Sequence, residues 1–269
     1  MKETIDVGRF EIEGQTINVT SVNDAVHSMI DRLKLRESFL VFTLNLDHLV
    51  KLRSDERFRD AYRSAGFVTA DGFPVVTLAG LDGILIERTA GSDLILPMCR
   101  SAAANGLSIF LFGTTLPAFC AAARSLFAQI PGLDIRGVFS PPGGFSENSD
   151  IADEAIRVIA ESGARICFVA LGPPKQEIFA AAAKKRTLGV AFFAVGAGLD
   201  FIAGTQTRCP PLFRRLNMEW AWRFVTNPKR LGWRYFRCAL LFAELLGRRL
   251  LNRPRKADGA PLSGGKKVV

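Results

Sequence analysis

The stretch RICFVALGPPKQEIFAAAAKKRTLGVAFFAVGAGLD, residues 165–200, decides the fold class. Arg165–Leu171 is an almost unbroken apolar run, and so is Val190–Val195. Between them GPPKQ breaks the first run and opens a helix to about Lys185. Short apolar strands alternating with helices predict a parallel sheet covered on both faces. The same rhythm extends outward in both directions. Phe39–Thr43, Gly66–Ala70, Leu107–Phe112 and Asp134–Phe139 read as further strands. Helices are expected over about 47–64, from Pro74, over 91–105, 117–130 and 149–162, with an N-terminal one to about Arg36 capped by Ser21 or Asn23. Residues 5–20 read as two short strands around Gly14. The expected fold is α/β: a Rossmann-like, mostly parallel sheet with helices on both faces.

In such a sheet a ligand binds at the carboxyl ends of the strands. That rule selects Thr43–Asn45, Asp71–Gly72, Gly113–Thr115, Gly172–Gln176 and Gly196–Asp200. Asp71, fixed by its strand and followed by glycine, suits a general base, although Asp-Gly is also a common turn pair. Thr43 and Asn45 offer polar groups beside it and read equally as helix caps. Gly113 and the two threonines after it can turn backbone N–H groups and a helix N-terminus toward phosphate. Gln176 can pair with an amide-like base edge, or simply belong to a proline-stiffened loop. His27 and His48 read as surface or internally satisfied histidines.

Composition sets further bounds. The five cysteines are odd in number, widely spaced and form no C-x-x-C pair, which excludes a zinc ribbon and a disulfide framework. They read as small, mostly buried hydrophobes of a reducing compartment. The N-terminus lacks a signal-peptide core, and the apolar uncharged run Thr187–Leu199 has 13 residues, short of the ~20 a spanning helix needs. A cytoplasmic protein, peripherally attached to the inner face of the membrane, is expected.

Charge divides the chain. Residues 208–269 hold 15 Lys/Arg against three Asp/Glu, +12, whereas residues 1–207 carry −3. Three parts are therefore expected: an α/β core over 1–207 with a small N-terminal α+β portion, a basic amphipathic helical appendage over 208–253, and a disordered tail over 254–269. All three tryptophans lie in the appendage. Its first helix, about Leu212–Thr226, places Leu212, Leu216, Trp220 and Phe224 on one stripe; a second starts near Pro228 and carries Arg230, Arg234 and Arg237 together. Arginine suits phosphate, and tryptophan suits a membrane interface. The interleaved Trp/Leu pattern favours an anionic membrane surface and a diphosphate over a nucleic acid. No Asp-x-Asp pair is present to hold a divalent metal at a pyrophosphate, so neither metal nor cofactor is assigned.

The motifs TLNLDHL (43–49), TADGFPVV (69–76), ERTAGSDL (87–94), FLFGTT (110–115), LGPPKQE (171–177), GAGLDFIAG (196–204) and MEWAWRFVTNPKRLGWRY (218–235) together resemble the WecG/TagA/CpsF glycosyltransferases. That resemblance implies an inverting, metal-independent transfer from a UDP-sugar to a polyprenyl-diphosphate-linked saccharide in surface-glycan synthesis. It places the base on Asp71 and donor contacts on Thr43, Asn45, Gln176 and Asp200. Diphosphate contacts fall on Arg223, Arg230 and Arg234, with Arg88 matching the Glu-Arg pair. The chain departs from the family at Cys209-Pro210-Pro211, and the loop Ser140–Ser149 is individual. A catalytically inactive nucleotide-binding docking partner is the alternative, and a nucleotide-dependent oxidoreductase is weakened by the missing glycine fingerprint. A homo-oligomer is compatible with the sequence, which specifies no stoichiometry.

Overall fold

The computed structural model describes residues 9–206 and 228–251. A hairpin of β1 (Phe10–Ile12) and β2 (Gln15–Ile17) leads into helix α1 (Val22–Lys34), whose Ser21 cap accepts the Asp24 amide. Then follow β3 (Leu40–Leu44), α2 (Leu46–Leu52), α3 (Glu56–Arg63), β4 (Phe67–Ala70), α4 (Phe73–Leu81) and α5 (Gly91–Ala104). The second half runs β5 (Ile109–Phe112), α6 (Leu116–Gln129), β6 (Ile135–Phe139), α7 (Asp150–Glu161), β7 (Ile166–Val169), α8 (Lys175–Arg186), β8 (Ala191–Ala194) and α9 (Gly198–Ala203). A long helix, α10 (Pro228–Leu251), ends the described chain.

The six strands β3 to β8 form one parallel sheet in the order β4-β3-β8-β7-β5-β6. The four inner strands are buried at every residue, as their apolar runs require. Alternation sends Phe42, Phe110, Cys167 and Phe192 to one face, where α2, α3, α4, α7, α8 and α10 cover them. Val41, Ile109, Phe168 and Phe193 point to the other, under α1, α5, α6 and α9. At one edge Asn18 takes over the ladder: its side chain bonds the Val68 amide at 2.8 Å and the Gly66 carbonyl at 2.9 Å. The outer edge of β4 is thereby closed to further pairing.

Two expectations change. The single helix read over 47–64 is two, because the Asp55 side chain caps the Phe58 amide at 3.0 Å and starts α3 afresh. Gly196–Asp200 is not only a loop, since α9 begins inside it. Of the described cysteines, Cys99, Cys167 and Cys238 are buried, as expected of most, and Cys120 is exposed. The helix over 212–226, Arg223, Cys209 and the tail over 254–269 lie outside the described residues.

The second helix of the basic segment is not a detached arm. Leu241 and Leu245, each 3% exposed, enter the same core as the sheet. Ion pairs surround that seam: Arg53 bonds Glu244 at 2.9 and 3.2 Å and Glu13 at 2.9 Å, and Arg249 reaches Asp82 at 3.0 Å. Exposed pairs of this kind contribute little each, so burial of the leucines holds the helix. Leu245→Ala should cost about 2–5 kcal/mol in urea unfolding. A loss below about 0.5 kcal/mol would show that α10 is outside the cooperative unit.

Candidate active site

The loops leaving β3 and β8 depart to opposite faces of the sheet, which opens a crevice between their carboxyl ends. Asn45 stands at the β3 end as the cap of α2, its Oδ1 accepting the His48 amide at 3.0 Å. Its Nδ2 donates to Asp71 Oδ2 at 3.2 Å across the neighbouring strand end. Two residues 26 positions apart thus meet because β3 and β4 pair in register, Thr43 opposite Thr69 and Leu44 opposite Ala70. Gly72 follows Asp71 at φ 95°, a conformation that glycine reaches without strain, and starts α4 immediately. Thr43 is 5% exposed. Its carbonyl accepts the Tyr62 hydroxyl at 2.5 Å and lies 2.6 Å from His48 Nδ1.

Arg88 lies on the segment that extends past this end, where the Thr89 amide bonds the Ala70 carbonyl at 2.7 Å. Its guanidinium pairs with Asp93 at 3.1 Å. On the other side of the crevice Thr114 donates to Asp200 Oδ1 at 2.5 Å, joining the β5 loop to α9. Gly113 permits the close approach of β5 and β7, because a Cβ there would meet the Ala170 carbonyl oxygen at 2.5 Å. Beside it lies an open cleft of about 330 Å³, walled by Gly113–Thr115, the loop at Pro141–Phe145, Leu171 and Lys175. Lys175 ties that wall together by donating to the Phe145 carbonyl at 2.7 Å.

Gln176 is 2% exposed, and its polar atoms are occupied from within the fold. Oε1 accepts the Gly172 amide at 3.2 Å and the Gly196 amide at 3.0 Å; Nε2 donates to Glu177 at 2.8 Å. It links the loops after β7 and β8. Sequence reasoning gave no role to two neighbours that complete this edge, Glu177 and Asp47, and saw Thr114 only as part of the Gly113–Thr115 turn, since burial and partners of polar residues leave no mark on spacing. Asp47 is 8% exposed and pairs with Lys51 and with Arg234 Nε, the latter at 3.1 Å. The first turn of α2 therefore holds Asp71 through Asn45 and Arg234 through Asp47. Of the other arginines singled out, Arg230 lies in α10 but its side chain is outside the described positions, and so is all of Arg223.

Three buried groups at this edge are strongly displaced. Burial holds His48 down at about 4, so it is a neutral structural histidine. Burial pushes Glu177 up to about 7, although the hydrogen bond from Gln176 pulls the other way. Burial and then the carboxylates of Glu177 and Asp71 hold the Tyr62 phenol protonated.

A parallel α/β sheet whose carboxyl edge presents a carboxylate, amides, a threonine-bearing helix start and basic side chains is chemically equipped for group transfer. The chain belongs to the "Glycosyl transferase WecG/TagA/CpsF family", whose profile matches residues 10–256. It is a glycosyltransferase. One relative is an N-acetylglucosaminyldiphosphoundecaprenol N-acetyl-beta-D-mannosaminyltransferase of Bacillus spizizenii (strain ATCC 23059 / NRRL B-14472 / W23). It is 31% identical over 197 residues, covering 72% of this chain and 73% of the relative.

Glu177 and His48 act oppositely on stability. Glu177 keeps its proton in the fold up to about 7 but releases it near 4.5 when unfolded, so its contribution is lost as pH rises between those values. His48 contributes in reverse, losing stability as pH falls from 6.5 to about 4. Replacing Glu177 by Gln removes only the first trend. The stability of Glu177→Gln relative to wild type should therefore improve by roughly 2–4 kcal/mol between pH 4.5 and pH 8. Urea midpoints at the two pH values measure it.

Proposed function

We propose that the protein moves a sugar from a UDP-sugar to a polyprenyl-diphosphate-linked saccharide in one inverting step, without a metal. The Asn45–Asp71 pair carries this reading. A carboxylate fixed by a neighbouring amide at the mouth of the crevice is placed to take the proton of an acceptor hydroxyl. The hydroxyl oxygen then attacks the anomeric carbon, and the bond to the UDP β-phosphate oxygen breaks with its electron pair. Attack from the face opposite the leaving group inverts the anomeric centre. The acceptor class follows the named activity of the Bacillus relative, whose acceptor is a diphosphoundecaprenol-linked N-acetylglucosamine by its name.

The donor diphosphate fits the cleft at Gly113–Thr115, where the N-terminus of α6 and Lys175 offer positive charge. Asp200, bonded to Thr114, closes the same side, and Gln176 serves it by holding the loops. Arg234, with Arg223, Arg230 and Arg88, supplies cations in place of a metal. Arg234 reaches the crevice side because Asp47 grips its Nε.

Membrane attachment is proposed through the outer face of α10. Trp233, Phe236 and Leu240, 71%, 52% and 56% exposed, line it at helical spacing, with the exposed Arg237 beside them. The Trp233 and Phe236 rings stack 5.6 Å apart. No helix among the described residues is long and apolar enough to cross a membrane, so the contact is interfacial. The basic charge favours the anionic cytoplasmic leaflet, at about 1 kcal/mol per Lys or Arg near it.

Two measurements test these statements. Asp71→Asn should lower turnover ~10²–10⁴-fold while the affinity for UDP stays within about twofold. Near-normal turnover in that variant would remove Asp71 as the base. In vesicle sedimentation with anionic lipid, Trp233→Ala with Phe236→Ala should cut the bound fraction severalfold. Unchanged binding of that double variant would exclude α10 as the anchoring face.

A further inference from the structure

We infer that Glu177 is a positioning residue for donor binding: through the Gln176 amide it holds the Gly172 and Gly196 loops at the spacing of the nucleotide site. This rests on the nucleotide-sugar reading above. Glu177 sits in the first turn of α8, wholly buried, with Oε1 accepting from Gln176 Nε2 at 2.8 Å. Its Oε2 is buried without a hydrogen-bond partner among the described residues. That arrangement is costly, and an apolar side chain would avoid the cost.

The cost has a physical counterpart in the amide it faces. A primary amide can be turned two ways, exchanging its oxygen and its NH₂. Only one of them places Oε1 against the two backbone N–H groups of Gly172 and Gly196. The reverse would set an NH₂ against two N–H donors and an oxygen against the Glu177 oxygen. An acceptor at position 177 therefore selects the working orientation of Gln176. The two loops so joined carry Lys175 on one side and Asp200 on the other, the proposed donor contacts. The β7–β8 ladder ends at Val169 and Ala194, and one further backbone bond, from the Val195 amide to the Val169 carbonyl at 3.0 Å, stops short of Gly172 and Gly196. The amide continues the ladder by one side-chain link.

The prediction separates acceptor chemistry from packing. Glu177→Gln keeps an oxygen facing Gln176 and should bind UDP within about twofold of wild type. Glu177→Ala and Gln176→Ala should each weaken UDP binding about tenfold, the worth of one hydrogen bond, and the double variant should be no weaker than either. Hydrogen exchange should accelerate in the same two single variants over residues 170–176 and 195–198, with the remaining strands unchanged. Normal UDP affinity and normal exchange in Glu177→Ala would overturn the inference. A Glu177→Gln variant as weak as Glu177→Ala would also overturn it, since lost packing rather than the acceptor would then be at fault. If the wild-type chain bound no UDP, the nucleotide-sugar reading would fall, and exchange alone would decide whether Glu177 holds the loops.

Discussion

The amide oxygen of Gln176 receives two backbone N–H groups from loops that leave the sheet toward opposite faces. A parallel sheet buried on both sides ends abruptly at its carboxyl edge, where each departing strand gives up its ladder partners. Side chains must take over there, and three links do so. Asn45 to Asp71 ties β3 to β4, Gln176 ties the β7 and β8 loops, and Thr114 to Asp200 ties the β5 loop to α9. The same polar groups that complete the backbone are the ones left facing a crevice. Stability of the edge and chemistry at the edge are consequently one problem.

Electrostatics divides this edge into two regimes. Below the surface the groups are neutral: burial keeps His48 unprotonated and Glu177 protonated toward neutral pH. Nearer the rim, acids and arginines are paired with each other, Arg88 with Asp93 and Arg234 with Asp47. That ordering suits an enzyme that must place a full carboxylate and several cations near one another without burying an unpaired charge. Helix α10 belongs to both regimes. Its leucines are anchored in the core, its arginines meet acids on the body, and its opposite face leaves Trp233 and Phe236 uncovered.

Much of the frame was legible along the chain. The apolar runs at Leu40–Leu44, Ile109–Phe112, Ile166–Val169 and Ala191–Ala194 became the four inner strands, because a strand buried on both faces needs no polar alternation. Glycine or a small polar residue after each run marked the carboxyl edge. The break at Asp55 was hidden, since α2 and α3 share one continuous apolar pattern and only the cap separates them. Glu177 was hidden for another reason: a glutamate in a helix-opening motif looks solvated until neighbours close over it. Asp47 was equally silent, as its partner Arg234 lies 187 positions away.

The sequence by itself determined the class of fold, the edge on which chemistry occurs, the basic C-terminal segment and the family, because periodicity, loop composition and motif order are local properties. Tertiary structure alone decided which polar residues touch. It placed Asn45 on Asp71, closed Gln176 between two loops, buried Glu177 and docked α10 through Leu241 and Leu245. Those pairings depend on strand order and register, which bring residues from distant parts of the chain within hydrogen-bonding distance.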